Sequence, residues 1–217
     1  MRFSAHHFAK VAAGSLSAAL LAGTAHAGIV VSNLNEPSNG TGTIYAAGPP
    51  QWYAQAFVTG AQSVELGTVI APLGDSSGSY SAFAELISDD GGSPGATVIA
   101  EFTVPSIGTS IADLTFDPTS NVELAANTEY WFVLGATGSD PTAEYKWSYT
   151  YTNSADFPAY AYSHNSGTTW TVETNGPFRL QVNSVPEAST WALMLLGFAG
   201  LAFPGYRGAL KRATSAA

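Results

Sequence analysis

NTEYWFVLGA, residues 127–136, is the stretch on which the fold turns. Its large apolar side chains do not alternate with polar ones. In an extended strand successive side chains point to opposite faces. Tyr130, Phe132 and Leu134 then share one face, and Trp131 and Val133 the other. A strand that is apolar on both faces is buried on both faces. The sequence therefore predicts a strand over Thr128–Ala136 with packed material on each side of it.

Around this stretch, short extended runs recur, separated by clusters of Gly, Pro, Asn, Asp and Ser. The predicted strands are Tyr53–Thr59, Ser63–Ala71, Ser79–Ile87, Thr97–Val104, Ile111–Phe116, Tyr145–Tyr151, Thr168–Val172 and Phe178–Val182. In the second of these Val64, Leu66 and Ile70 share a face and Glu65 occupies the other. Turns are expected at 74–78, 89–95, 138–141 and 165–167. No amphipathic helix interrupts the series. Short strands at this spacing predict an all-β fold, an antiparallel β-sandwich of jelly-roll-like kind. We place it over residues 28–184.

The two ends of the chain read differently. Arg2 and Lys10 bracket a positively charged start, and an apolar run follows over 11–22. Ala25-His26-Ala27 then supplies the small residues that a signal peptidase reads. These are the three parts of a secretory signal peptide, residues 1–27, which would be cut after Ala27 and implies the export machinery as a partner. At the other end, residues 189–206 carry no charge, and Arg207, Lys211 and Arg212 follow. That length is close to the roughly twenty residues a membrane helix needs. The basic cluster would stay on the cytoplasmic side. Leu193, Met194, Leu195, Leu196, Phe198, Leu201 and Phe203 leave this segment without the polar face of a buried surface helix.

Val185-Pro186-Glu187, then Trp191-Ala192, then the apolar segment, then Arg207 resembles the PEP-CTERM sorting signal, in its PEPxxWA form. Ala188 stands where that pattern has its second proline. The resemblance covers residues 185–217. It implies a membrane-held precursor processed by an exosortase-type enzyme, in a Gram-negative bacterium of the kind that often makes exopolysaccharide. It implies a final place at the cell surface or in the extracellular matrix.

A second resemblance covers most of the body. Gln55-Ala56-Phe57, then 89–95 (DDGGSPG), then Asn127 through Phe132 is similar to the choice-of-anchor domains, type R in particular. That similarity implies a β-sandwich in an exported setting and no particular reaction.

Charge and chemistry narrow the function. Between residues 28 and 185 the only basic side chains are Lys146 and Arg179, against fifteen Asp and Glu. Such a surface repels phosphate backbones, which excludes nucleic acid as a partner. There are no cysteines, so no disulfide supports the exported fold. His6, His7 and His26 lie in the signal peptide, leaving His164 alone in a turn-like stretch. One histidine and no Gly-x-Ser-x-Gly elbow do not make a hydrolase triad. Glu85, Asp113 and Glu144 are available for a carboxylate-based secreted hydrolase, but nothing marks a pair among them. Asp89 and Asp90 offer calcium the hard oxygen ligands it prefers, yet Asp-Gly is also what a hairpin turn needs, and we favour the turn, with no metal or other cofactor.

The aromatic residues carry the remaining question. Trp147, Tyr149 and Tyr151 alternate, which places them on one strand face, with Tyr160, Tyr162 and Trp170 nearby in sequence. One reading has these rings, Trp170 included, stacking on sugars as an exopolysaccharide-binding module. The other has them filling the core, with tyrosine hydroxyls at the rim. Ser148 and Thr150, expected on a solvated outer face, favour the core. The leading expectation is an exported, non-enzymatic surface or matrix protein.

Overall fold

The computed structural model describes residues 28–185. The predicted signal peptide and the predicted C-terminal membrane helix lie outside them. Among the described residues there is no helix, and so none long and apolar enough to cross a membrane. The chain forms thirteen strands: β1 Ile29–Ser32, β2 Gly40–Tyr45, β3 Trp52–Val58, β4 Val64–Ser77, β5 Ser81–Asp89, β6 Pro94–Thr103, β7 Ala112–Pro118, β8 Glu123–Leu124, β9 Glu129–Thr137, β10 Glu144–Tyr149, β11 Tyr160–Ser163, β12 Thr171–Glu173 and β13 Gln181–Ser184. Every pairing between them is antiparallel, as the sequence predicts.

The strands fall into two groups in a sandwich-like arrangement. In one, β4 is paired along one side with β7. Its other side carries β13 opposite Val69 and Ile70, then β10 opposite Leu73, placed end to end. β1 flanks β13, β2 flanks β10, and β8 pairs with the start of β4 at Val64 and Glu65. The second group runs β6-β5-β9-β3-β11-β12. A two-residue pairing, Phe102 with Pro118 and Thr103 with Asp117, links the groups.

Strand β9 shows why residues 127–136 decide the architecture. Its inward ring, Phe132, meets Phe102 at 5.3 Å, Phe116 at 5.5 Å and Trp147 at 6.0 Å, each edge to face. That geometry suits the aromatic quadrupole. On the other face Trp131 and Val133 join Ala54, Ala56, Ile87, Ala159 and Ala161 in a second apolar cluster. The strand is buried on both sides.

Four strands escape the sequence pattern: β1, β2, β8 and β11. β2 reads Gly-Thr-Gly-Thr-Ile-Tyr and β8 has two residues, so neither shows a usable alternation. The turn expected at 74–78 is largely strand. Asp75, at φ 49°, forms a bulge opposite β10, and β4 continues to Ser77. A bulge absorbs one residue of positive φ without ending the pairing. The expectation that Ser148 and Thr150 face solvent is also wrong, for both are fully buried. The segment between β1 and β2 lies over them: Ser38 Oγ is 2.8 Å from Ser148 Oγ, and the Thr150 hydroxyl donates to Asn39 Oδ1 at 3.3 Å.

After Tyr149 the chain leaves the first group, builds β11 and β12 in the second, and returns. The neck of this excursion is closed by Thr150 N–H to Pro177 O and Arg179 N–H to Ser148 O, both 2.9 Å. The excursion carries Tyr160 across to the second group, and its return brings back Phe178 beside the end of β10.

Candidate functional site: a tyrosine-lined cleft

Where β2 and the end of β10 approach β3 and β11, the structure forms a cleft of about 280 Å³. Its floor is Phe178. This ring stacks on Trp147 at 4.6 Å, leans on Tyr53 at 4.7 Å, and meets Tyr160 and Tyr149 edge-on at 5.4 and 6.3 Å. The Phe178 backbone N–H donates to Gln55 Oε1 at 2.6 Å. Gln55, fully buried in β3, donates in turn to Ala159 O at 2.8 Å and Ala56 O at 2.9 Å. A buried amide with its bonds made fixes its neighbours in place.

The walls follow from strand register. Tyr53 precedes Gln55 on the inner face of β3, and Tyr160 in β11 pairs opposite Gln55. Tyr149 ends β10 opposite Gly40. Tyr151 follows beyond the strand end, 67% exposed, with its ring 5.5 Å from that of Tyr149 and the two hydroxyls 3.4 Å apart. Thr41, Asn175 and Gly176 complete the lining. Gly42 makes the close approach possible: a Cβ there would lie 2.7 Å from Phe178 Cζ and 3.0 Å from Tyr53 Cε2.

Three phenols of the cleft, Tyr53, Tyr149 and Tyr160, are shifted toward the neutral form. Burial pushes Tyr53 up to about 12, an effect that the Gln51 amide donating to its hydroxyl only partly offsets. Tyr160 is raised first by burial and then by Glu173, its partner across β11 and β12. Tyr149 is raised chiefly by its hydrogen bond with Tyr151. No charged side chain lines the cleft. It therefore presents aromatic faces and neutral hydroxyls, and no group suited to act as nucleophile or base near neutral pH. A larger hollow of about 420 Å³ beside Ser76 and Tyr80 has one aromatic wall, and its phenol is taken by Ser76 Oγ at 2.7 Å.

The structure separates the rings that the sequence grouped. Tyr149 and Tyr151 line the cleft. Trp147 lies beneath it with no exposed surface, its Nε1 donating to Arg179 O at 2.9 Å. Trp170 packs into the second apolar cluster instead. Sequence reasoning missed Tyr53, Phe178 and Gly42. The inner-face alternation of Tyr53 with Phe57 was the only local sign of the first.

The other residues of interest lie elsewhere. Asp89 is engaged in its own hairpin: its carboxylate accepts from Gly92 N–H at 3.1 Å and from Trp131 Nε1 at 2.9 Å. Asp90 is exposed. Gly91 and Gly92 supply the positive φ of that turn, 66° and 84°. Among the described residues no three of His, Cys, Asp and Glu are grouped to hold a metal. Glu85, Asp113 and Glu144 sit on β5, β7 and β10, strands that do not pair with one another. Glu85 instead faces Glu101 across β5 and β6, and its carboxyl is raised by burial and then by that neighbour. His164 is exposed beside the Tyr162 ring, 5.3 Å away.

Of the residues read as sorting and processing signals, Val185 alone is described; its N–H donates to Glu65 O at 2.9 Å. Ala25, Ala27, Pro186, Glu187, Trp191, Ala192 and Arg207 lie outside the described residues. No protein-family model, no curated protein and no solved structure matches the chain.

Proposed function

We propose that this chain is an exported, non-enzymatic surface or extracellular-matrix protein. Its jelly-roll-like β-sandwich is carried outward by a signal peptide and sorted by a PEP-CTERM-type tail. The observation behind this reading is the sequence from Val185 to Arg207, a Pro-Glu pair and Trp-Ala before an uncharged segment and a basic end. The acidic, cysteine-free, all-β body is in keeping with it. On this reading the mature protein begins at Gly28. The precursor is held in the inner membrane of a Gram-negative host until an exosortase-type enzyme shortens it near Pro186-Glu187.

Mass spectrometry of the surface and membrane fractions tests both ends. Retention of Met1 in the surface form would refute export. Retention of residues 191–212 in the mature protein, with the host's exosortase active, would make the tail a permanent anchor.

The cleft favours a second, compatible activity, carbohydrate recognition. Sugar rings are apolar on one side and hydroxylated at the edge. Aromatic faces beside neutral phenols offer a matching surface. A glycan array probed with the protein, alongside Tyr149→Ala, tests it: binding that ignores the substitution would place recognition elsewhere.

A further inference from the structure

We infer that the cleft takes an uncharged saccharide, one ring deep, with the ring face on Tyr151, beside Tyr149, and its hydroxyls bonded by Tyr53, Tyr160 and Asn175. This rests on the carbohydrate reading and goes further by naming the ligand's charge class.

Three observations carry it. First, the lining holds phenols, an amide and a hydroxyl but no ionised group. Such groups both donate and accept, as a saccharide hydroxyl does. Second, both basic side chains of residues 28–185 are committed away from the cleft. Lys146 Nζ lies 3.3 Å from Asp75 Oδ2, and the Arg179 guanidinium donates to Leu34 O. A uronic acid or sulfated sugar would find no cation there. It would meet Glu173 behind Tyr160 and a body with fifteen acids against two bases. Third, about 280 Å³ lies just below the range of ligand sites, about 300 to 1,000 Å³, and suits one ring better than a buried chain.

The inner and outer tyrosines divide the work. Tyr151, mostly exposed, supplies a face that a ligand can cover without disturbing the fold. Tyr53 and Tyr160 stand deeper and supply edge contacts. Their hydroxyls stay protonated throughout the neutral range.

Calorimetric titration of the mature protein purified from its host, against two panels, tests the inference. One panel holds neutral glucan, mannan and galactan oligosaccharides; the other holds alginate and polygalacturonate oligosaccharides. At least one neutral ligand should bind, with an affinity nearly independent of salt between about 0.05 and 0.5 M, because an uncharged ligand has no charge to screen. Tyr151→Ala should weaken it by about threefold to tenfold, the worth of one aromatic contact, without changing the unfolding midpoint. Acidic oligosaccharides should bind more weakly than neutral ones at every salt concentration. If they bind as well as neutral ones, the charge-class inference fails while carbohydrate recognition stands. If neither panel binds, the carbohydrate reading fails, and this inference with it. Tight neutral binding untouched by Tyr151→Ala would overturn the placement in this cleft.

Discussion

Replacing Trp147 by alanine probes the joint between core and cleft. The side chain is fully buried, stacks on Phe178 at 4.6 Å and meets Phe132 at 6.0 Å. Deleting a buried aromatic of this size costs about 3–5 kcal/mol, part transfer and part cavity. The substitution also leaves the Arg179 carbonyl without the indole donor it has at 2.9 Å. An orphaned buried acceptor costs about 1–3 kcal/mol, so the upper part of the first range is expected. For a domain of this size each kcal/mol lowers the melting temperature by about 2–4 °C, so about 4–5 kcal/mol gives a fall of about 8–20 °C. Urea unfolding followed by circular dichroism, with the slope checked for constancy, measures it. Two companions calibrate the result. Trp147→Phe keeps a ring on Phe178 and should lose clearly less. Tyr151→Ala removes a side chain that is 67% exposed and should stay within about 0.5 kcal/mol of the parent. A Trp147→Ala protein within about 1 kcal/mol of the parent would show that the ring does not occupy the core, and the account of the cleft floor would fall with it.

Asp89→Asn should destabilise by about 1–3 kcal/mol through its bonds to Trp131 and Gly92, while a calcium chelator moves the parent's melting temperature by less than a few degrees. A chelator-induced fall of many degrees would restore the metal reading. Gly42→Ala should cost about 1–3 kcal/mol by pushing on Phe178 and Tyr53, and should narrow the cleft, read as reduced glycan binding and a lower urea midpoint. Alkaline pH should destabilise the fold. Tyr53 titrates near 10 when unfolded and at about 12 when folded, so its contribution is complete below pH 10 and lost as pH rises toward 12. Tyr145, fully buried, shifts in the same direction. A Tyr53→Phe protein that loses as much stability between pH 10 and 12 as the parent would contradict this. Gln55→Leu should cost several-fold more than a typical surface change, because it strips the Phe178 N–H and Ala159 O of their shared partner; hydrogen exchange at Phe178 reports the loss.

The legibility of this chain depends on how local each feature is. β9 could be read because both of its apolar faces lie within residues 127–136, and β7 because Leu114 and Phe116 alternate with Asp113, Thr115 and Asp117. β2 could not, since Gly40 and Gly42 give up side chains to admit Tyr149 and Phe178, which erases the pattern that marks a strand. Half the cleft was visible in the same way. Tyr149 and Tyr151 are two residues apart and their neighbourhood shows in sequence. Tyr53 and Phe178 come from opposite ends of the body, and their meeting depends on the excursion that carries the chain out after Tyr149 and back before β13. Burial of Ser148 and Thr150 was hidden for a related reason: the covering segment around Ser38 and Asn39 is remote in sequence.

Strand β13 runs from just beyond the cleft floor to Ser184, one residue before the end of the described chain, and it lies between β1 and β4 along its course. Antiparallel backbone bonds stand perpendicular to the strands they join. A force drawn along the chain at Val185, while the cleft grips something fixed, therefore pulls β13 lengthwise across several such bonds at once rather than peeling them singly. The Gly28 carbonyl accepts from Ser184 N–H at 2.8 Å, so the same corner holds both ends of the body. With the cleft holding a fixed ligand and the tail an anchor, as proposed, the body would be a link loaded in shear through one short, doubly flanked strand.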